Sequence, residues 1–463
     1  DMLVNGRSGI DELPPHRLNR DLYYHPEKGR RARTYTTRGG CTSDRPFDRD
    51  SCPISDELLA RAHRVHLKLC EVTSQACRHA QLDPFNLSGQ NAGVYIGHTP
   101  PTLLCSENVY ARLVEHTAQY LRQVDGIDPL LGRELESVIA EVVADGRKLY
   151  QDEPQRIHID AKASDACALI SRTFGFTGPS MALDAACASS LRALGHAARA
   201  LQFGHIDMAV VGGASVCNTK ALVLFSAAQS VSATGSRPFD NDADGLAASE
   251  GYVIVLMKTL EKARSDGDPI HAVVQGIGIS SDGKGKSLWA PRKEGQVAAM
   301  RRAYSETVPP GSLQYIEAHA TSTKVGDATE LSALAEVYRD AFPDRRLPLG
   351  SAKANVGHTL ETAGLTSLVK TVLAMQHGIV PPQIHVRELN QKVDWDNAPF
   401  YVPTEAVSWP EPDDGSPRRA AVNAFGIGGL NVHLVLDQGR ELAASTHLSQ
   451  PETGRPSLEP VAI

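Results

Sequence analysis

The stretch LDAACASSL (Leu183–Leu191) sets one cysteine, Cys187, among alanines and serines at the junction of two hydrophobic patterns. Upstream, GPSMALD (Gly178–Asp184) reads as a Gly-Pro turn followed by a short strand. Downstream, Leu191, Leu194, Ala198 and Leu201 recur at helical spacing as far as Gly204. Strand leading into helix is the unit of a layered α/β fold, and the chain repeats the alternation along most of its length. Cys187 then occupies a tight strand-to-helix turn. There, free backbone N–H groups and the positive end of the helix dipole favour a thiolate and can donate to a developing oxyanion. The small neighbours allow a substrate to come close to the sulfur. This window alone does not decide the matter, because free cysteine is among the most buried and inert residue types.

Bulk properties narrow the alternatives. At 463 residues the chain exceeds the size at which one core stops growing, so a large composite fold or two similar halves is expected. The net charge of -7 comes from mixed signs rather than a block, which argues against a nucleic-acid or bulk membrane binder. The eight cysteines are widely spaced, with no CxxC pair and no Cys/His ligand spacing, so reduced thiols in a cytoplasmic protein are expected. No run approaches the roughly 20 apolar residues of a membrane span, and no secretory signal opens the chain. Asp1 in place of an initiator Met suggests a segment of a longer polypeptide.

Ser55 is expected to cap a helix carrying Leu58, Leu59, Ala62, Val65, Leu69 and Val72, with GVYIG (Gly93–Gly97) as a buried strand. Between 100 and 165 the pattern is less regular, with helices around 107–122 and 134–150 that could form a cap or a dimer surface. From HAVVQGIGISSD, beginning at His271, strands and helices alternate again as far as NVHLVLD (Asn431–Asp437). The expected organisation is an N-terminal half at 1–265 carrying the cysteine, a C-terminal half at 266–437, and a polar linker at 438–463.

The second half offers partners for Cys187. YIEAHATSTKVGD (Tyr315–Asp327) has a strand ending near His319, then Thr321 and Thr323. LGSAKANVGHTLETAG (Leu349–Gly364) has a strand ending near Lys353, then His358 at the head of an apolar helix. In layered α/β sheets the groups at the carboxyl ends of strands converge in one crevice. With 17 histidines in the chain a single one carries little weight. Two of them at strand ends, flanked by Gly, Thr and Lys, carry more.

DAACASSL, RPFDNDADGLAASEG (Arg237–Gly251), EAHATST, SAKANVGH and NAFGIGGLNVH (Asn423–His433) occur in the order and spacing of a β-ketoacyl synthase. Over residues 1 to 437 the chain resembles the ketosynthase domain of a type I polyketide synthase. The resemblance implies a thiolase-like α/β fold, two similar halves in αβαβα layers, in a homodimer. It implies decarboxylative Claisen condensation of a cysteine-bound acyl chain with a malonyl-type extender, both delivered as thioesters. Cys187 falls on the family's nucleophile, His319 and His358 on its catalytic histidines, and Lys353 on its motif lysine, which orients the site. The oxyanion-hole amides fall on Cys187 and Ile427. Thr321 and Thr323 would hold the pantetheine amides, Phe425 and Ile427 would line the acyl entrance, and Asn355 joins the substrate contacts. No cofactor or metal is implied for the domain; the phosphopantetheine of an acyl carrier protein is the substrate arm. Other polyketide synthase domains in the same chain are implied partners, and nucleic acid and membrane are not.

A non-elongating ketosynthase that only passes acyl chains, or a chain-length-factor-like partner, shares this fold but usually lacks the cysteine or a histidine. A thiolase would carry a Cys-Gly-Gly where FGIGGLNVH has none. Departures from the family pattern include AACASS for TACSSS, Ala320 for a glycine, and Ile427 for an aromatic, a change that suggests a longer or branched acyl chain. The family's opening strand has no counterpart before Asp1, while EPVAI (Glu459–Ile463) resembles such a strand. Asp240, Asp242 and Asp244 mimic a calcium loop without its later Glu and read as a structural loop beneath the site. Arg30, Arg31, Arg33 and Arg38 read as a solvated basic loop, with carrier-protein docking as the alternative.

Overall fold

Residues 1–99, 116, 118–124, 134–151, 162–285, 287, 289–439 and 460–463 are described by the structure, a computed structural model. Its frame is an 11-stranded sheet. The strands are β1 (Ala92–Gly97), β2 (Ser180–Leu183), β3 (Met208–Ser215), β4 (Gly251–Thr259), β5 (Ala272–Ser281), β6 (Tyr315–Glu317), β7 (Leu347–Gly350), β8 (Phe400–Tyr401), β9 (Arg419–Phe425), β10 (Leu430–Gln438) and β11 (Val461–Ala462). Their order is β8-β7-β6-β9-β10-β5-β11-β4-β3-β1-β2. The order contains one pattern twice. In β2-β1-β3-β4-β11 and in β7-β6-β9-β10-β5, three parallel strands are followed by two antiparallel additions.

The principal helices are α1 (Asp56–Arg61), α2 (Arg64–His79), α3 (Ala163–Phe174), α4 (Ser189–Gln202), α5 (Thr219–Ala227), α6 (Lys293–Arg302), α7 (Lys324–Tyr338) and α8 (Ala363–His377). The two-residue period of the strands sorts apolar side chains into separate cores. On β3, Ala209 and Val211 join Leu191 and Leu194 of α4 and Leu365 and Leu368 of α8, whereas Met208 and Val210 join Leu69 of α2 and Ile170 of α3. On β9, Ala420 and Val422 enter the α4/α8 core, while Ala421 packs with Met300 of α6 and Leu334 of α7. The layers therefore run helix, sheet, helix, sheet, helix. Helices α4 and α8 can share the middle layer because Gly364 has no side chain: a Cβ there would lie 2.5 Å from Leu191 Cγ.

Several details differ from the sequence expectation. Ser55 caps a helix, accepting from Leu58 N–H, but that helix stops at Arg61 and Ala62 is extended. His63 then starts α2, its Nδ1 accepting from Val65 N–H at 3.2 Å, so one expected helix becomes two with separate caps. The expected helix at 134–150 is present as Leu135–Gln151. Most of the one expected at 107–122 lies outside the described residues. The end of the chain, expected as linker, contributes β11 between β4 and β5, with Val461 and Ala462 both buried. It pairs antiparallel with β4 as β5 pairs with β10, taking the corresponding place in the first half. Among the described residues no helix is long and apolar enough to cross a membrane.

Candidate active site

Strand β2 ends at Leu183, and the chain reaches α4 through a tight turn over Asp184–Ala188. Ala186 takes φ 49°, a left-handed conformation unfavourable for a side-chain-bearing residue. Local hydrogen bonds hold it there: Asp184 Oδ1 accepts from Ala186 N–H at 3.0 Å, and Ser189 Oγ accepts from Ala185 N–H at 2.8 Å while donating to Ala186 O at 2.6 Å. Cys187 follows directly, two residues before α4, close to the expected position. Gly97 at the end of β1 lets the start of α4 approach, since a Cβ there would meet Ser190 N at 2.5 Å.

His358 is fixed as rigidly. The loop Arg237–Gly251 passes beneath the site, and His358 N–H donates to Ala247 O at 2.7 Å while its carbonyl accepts from Ser249 N–H at 2.9 Å. Leu360 N–H donates to His358 Nδ1 at 3.1 Å, which puts the proton of the neutral ring on Nε2. That Nε2 lies 3.1 Å from Cys187 Sγ. His319 stands beside them, its ring 5.5 Å from that of His358 at a steep interplanar angle. Sγ and one nitrogen of each imidazole all lie within 4.8 Å of one another, and all three residues are buried.

Burial dominates the electrostatics. It pushes the Cys187 thiol up to about 11, helped by the charge of Glu361 and opposed by Lys353 and by the backbone N–H groups of Ile427 and Cys187. Burial also holds both histidines well below the ordinary imidazole value, with Lys353 reinforcing the effect, so both rings are neutral near pH 7. Lys353 is 2% exposed and its Nζ has no hydrogen-bond partner among the described residues. It is therefore not a surface lysine, and its charge reaches both the thiol and the rings.

A cavity of about 740 Å³ opens over this cluster. Cys187, His319, His358, Thr321, Thr323, Phe425 and Ile427 all line it, and the hydroxyls of Thr321 and Thr323 lie 3.0 Å apart. Asn355, expected among the substrate contacts, is not brought here. Its Nδ2 donates to Arg7 O at 3.0 Å and its carbonyl accepts from Gly9 N–H at 2.7 Å, so it anchors the N-terminal segment. In the Arg237–Gly251 loop, Asp240 Oδ2 accepts from Arg387 N–H at 2.6 Å.

Sequence reasoning missed the carboxylates behind the histidines. Glu330 of α7 accepts from His319 N–H at 2.8 Å, Ala320 N–H at 2.7 Å and Asn423 Nδ2 at 2.8 Å, fixing the His319 loop to β9. Glu317 accepts from Lys370 Nζ at 2.7 Å, Tyr315 OH at 2.6 Å and Ala352 N–H at 2.6 Å, securing the segment before Lys353. A pointer was available in Glu330, an acid at a helix position facing the core, three residues after Asp327.

Comparison with known proteins places this geometry. The profile "Beta-ketoacyl synthase, N-terminal domain" matches residues 1–263, its C-terminal counterpart 271–387, and the ketoacyl-synthetase C-terminal extension 390–462. The chain belongs to the β-ketoacyl synthase family. It is 33% identical over 468 residues to a mycocerosic acid synthase-like polyketide synthase of Mycolicibacterium smegmatis, covering 100% of this chain and 20% of the relative. Pikromycin polyketide synthase component PikAIII of Streptomyces venezuelae is 34% identical over 98% of this chain and 27% of its own. This chain thus spans less than a third of the length of those relatives. Among solved structures, the ketosynthase from module 6 of the bacillaene synthase of Bacillus subtilis 168 superposes with a TM-score of 0.78 at 28% identity, covering 95% of this chain and 69% of the other. The fold is the thiolase-like fold of these ketosynthases.

Proposed function

We propose that this chain is a condensing ketosynthase. It joins an acyl group held on Cys187 to a malonyl-type extender carried by an acyl carrier protein, in polyketide or related fatty-acid biosynthesis. The observation that carries the reading is the convergence of Cys187 Sγ with a nitrogen of each of His319 and His358, within 4.8 Å, on one cavity. Chain-passing and chain-length-factor roles do not call for both imidazoles beside the thiol.

In the first half-reaction Sγ attacks the acyl thioester carbonyl, the pantetheine thiol leaves with the cysteine's proton, and the acyl chain remains on sulfur. The tetrahedral oxyanion lies within reach of the backbone N–H groups of Cys187 and Ile427, which already point toward Sγ. In the second, the malonyl carboxylate leaves as CO2 and its electron pair becomes a thioester enolate. His358 Nε2–H donates to the enolate oxygen, and His319 is placed to do the same as a neutral donor. The enolate carbon attacks the acyl carbonyl and expels the Cys187 thiolate, which regains a proton from solvent. The product is a β-ketoacyl thioester. Lys353 acts through charge, favouring the thiolate and keeping both imidazoles neutral. Thr321 and Thr323, at the cavity wall, suit the amides of a phosphopantetheine arm, and Phe425 and Ile427 its acyl end. The same reading makes the acyl carrier protein and further synthase domains the partners, a homodimer the assembly and the cytoplasm the location.

Intact mass after incubation with acyl-pantetheine thioesters tests the reading, with Cys187→Ala as control. An acyl adduct on the wild type only supports it; an adduct that persists in the variant overturns it.

A further inference from the structure

Cys187 and Ile427 line a second cavity as well, of about 410 Å³, whose lining includes neither His319 nor His358. Its wall is largely apolar, formed by Val216, Leu224, Phe225 and Leu360, yet Glu361 stands on it. The Thr99 hydroxyl donates to Glu361 Oε1, and no ion pair joins Glu361 to any described residue, Lys220 of the same wall included. Another acceptor stands nearby. His98 donates from Nδ1 to Ala214 O at 3.0 Å, which leaves its Nε2 an acceptor without a partner among the described residues.

A carboxyl at this place is costly in two ways. Burial raises its pKa, since an enclosed carboxylate lacks the hydration it has in water. Its charge also raises the pKa of the Cys187 thiol, the opposite of what a nucleophile needs. An apolar residue would line an alkyl pocket at neither cost. A ligand hydroxyl offsets both, because it donates to the carboxylate and disperses its charge, or accepts from the carboxylic acid.

We propose that Glu361, on the wall of this cavity, selects acyl chains that carry a hydroxyl close to the thioester over saturated ones. The proposal rests on the acyl-transfer reading above. The place of the hydroxyl, close to the thioester, follows from Glu361 and Cys187 lining the same cavity. Thr99 serves as a positioning residue that holds the carboxyl toward the chain.

The test compares hexanoyl and β-hydroxyhexanoyl N-acetylcysteamine thioesters on the whole chain, following the Cys187 adduct by intact mass. One added hydrogen bond to a charged or acidic group makes the hydroxylated chain react about ten-fold faster in the wild type. Glu361→Gln retains part of the preference, and Glu361→Leu reverses it in favour of hexanoyl. Equal rates in the wild type, or a faster hexanoyl reaction, overturn the selection by Glu361 and leave acyl transfer standing. Failure of both thioesters to label Cys187 overturns the acyl-transfer reading and this inference with it.

Discussion

The imidazole of His358 presents Nε2–H to the sulfur of Cys187 across 3.1 Å, with its tautomer set by Leu360 N–H on the opposite ring nitrogen. A ring held in this way is a hydrogen-bond donor rather than a base. It stabilises negative charge wherever that charge forms, on sulfur when the thiol loses its proton and on oxygen in the enolate.

His358→Ala and His319→Ala are therefore expected to separate the two half-reactions. Loss of either donor lowers malonyl decarboxylation by about 10²–10³-fold, the scale of removing one oxyanion donor. Self-acylation of Cys187 falls much less in His319→Ala, because His319 makes no hydrogen bond to Sγ. Carbon dioxide release from a malonyl thioester and acyl adduct formation by mass measure the two steps. Undiminished decarboxylation in both variants would exclude the proposed enolate stabilisation.

The elevated thiol makes a pH prediction. With a pKa of about 11, Cys187 is protonated at neutral pH, and its thiolate fraction rises as pH rises toward that value. Alkylation by iodoacetamide should accelerate about ten-fold per pH unit from pH 7 to 10, without levelling at the ordinary thiol range near 8.5. Lys353→Met removes a charge that favours the thiolate and should slow the reaction at every pH below the plateau. A plateau below pH 9 in the wild type contradicts the electrostatic account.

Glu330 is expected to matter for one histidine and not for the cysteine. Glu330→Gln turns one acceptor oxygen into a donor facing backbone N–H groups, in a residue that is 2% exposed. Stability should fall by about 1–3 kcal/mol, the cost of leaving a buried hydrogen-bonding group unsatisfied. Decarboxylation should drop with it as the His319 loop loosens, while Cys187 alkylation stays near the wild-type rate. Thermal melts and the two rate assays together distinguish this from general destabilisation, which would lower both rates.

What could be read in advance followed from locality. The turn at Cys187, the strand ends before His319 and Lys353, and the glycine loop at Ile427 are short segments whose residue types state their backbone conformation, and ordered motifs then tied them to a family. Asn355 lies within the SAKANVGH motif, yet its side chain is directed at the N-terminal segment, more than 300 residues away in sequence, a partner that no local pattern states. Glu330 and Glu317 went unnoticed for a related reason: their roles depend on which backbone N–H groups tertiary packing brings to them. Glu361 sits only three residues from His358, but what makes it notable is the cavity, formed by elements from both halves of the chain.

The last four residues give a prediction about stability. Residues Pro460–Ile463 close the seam between β4 and β5: Leu260 N–H donates to Pro460 O, His271 and Ala272 N–H to Ile463 O, and Ile463 N–H to Ala272 O. Val461 is 1% exposed and packs in the same core as Leu201 of α4 and Met257 of β4. Removing this segment opens two strand edges and part of that core. Val461→Asp leaves the backbone intact but places an unpaired charge in the seam, which should lower stability by about 3–5 kcal/mol. Denaturant midpoints and hydrogen exchange of β4 and β5 amides report the effect. An unchanged midpoint together with unchanged protection in both strands would mean that β11 does not hold the two half-sheets together.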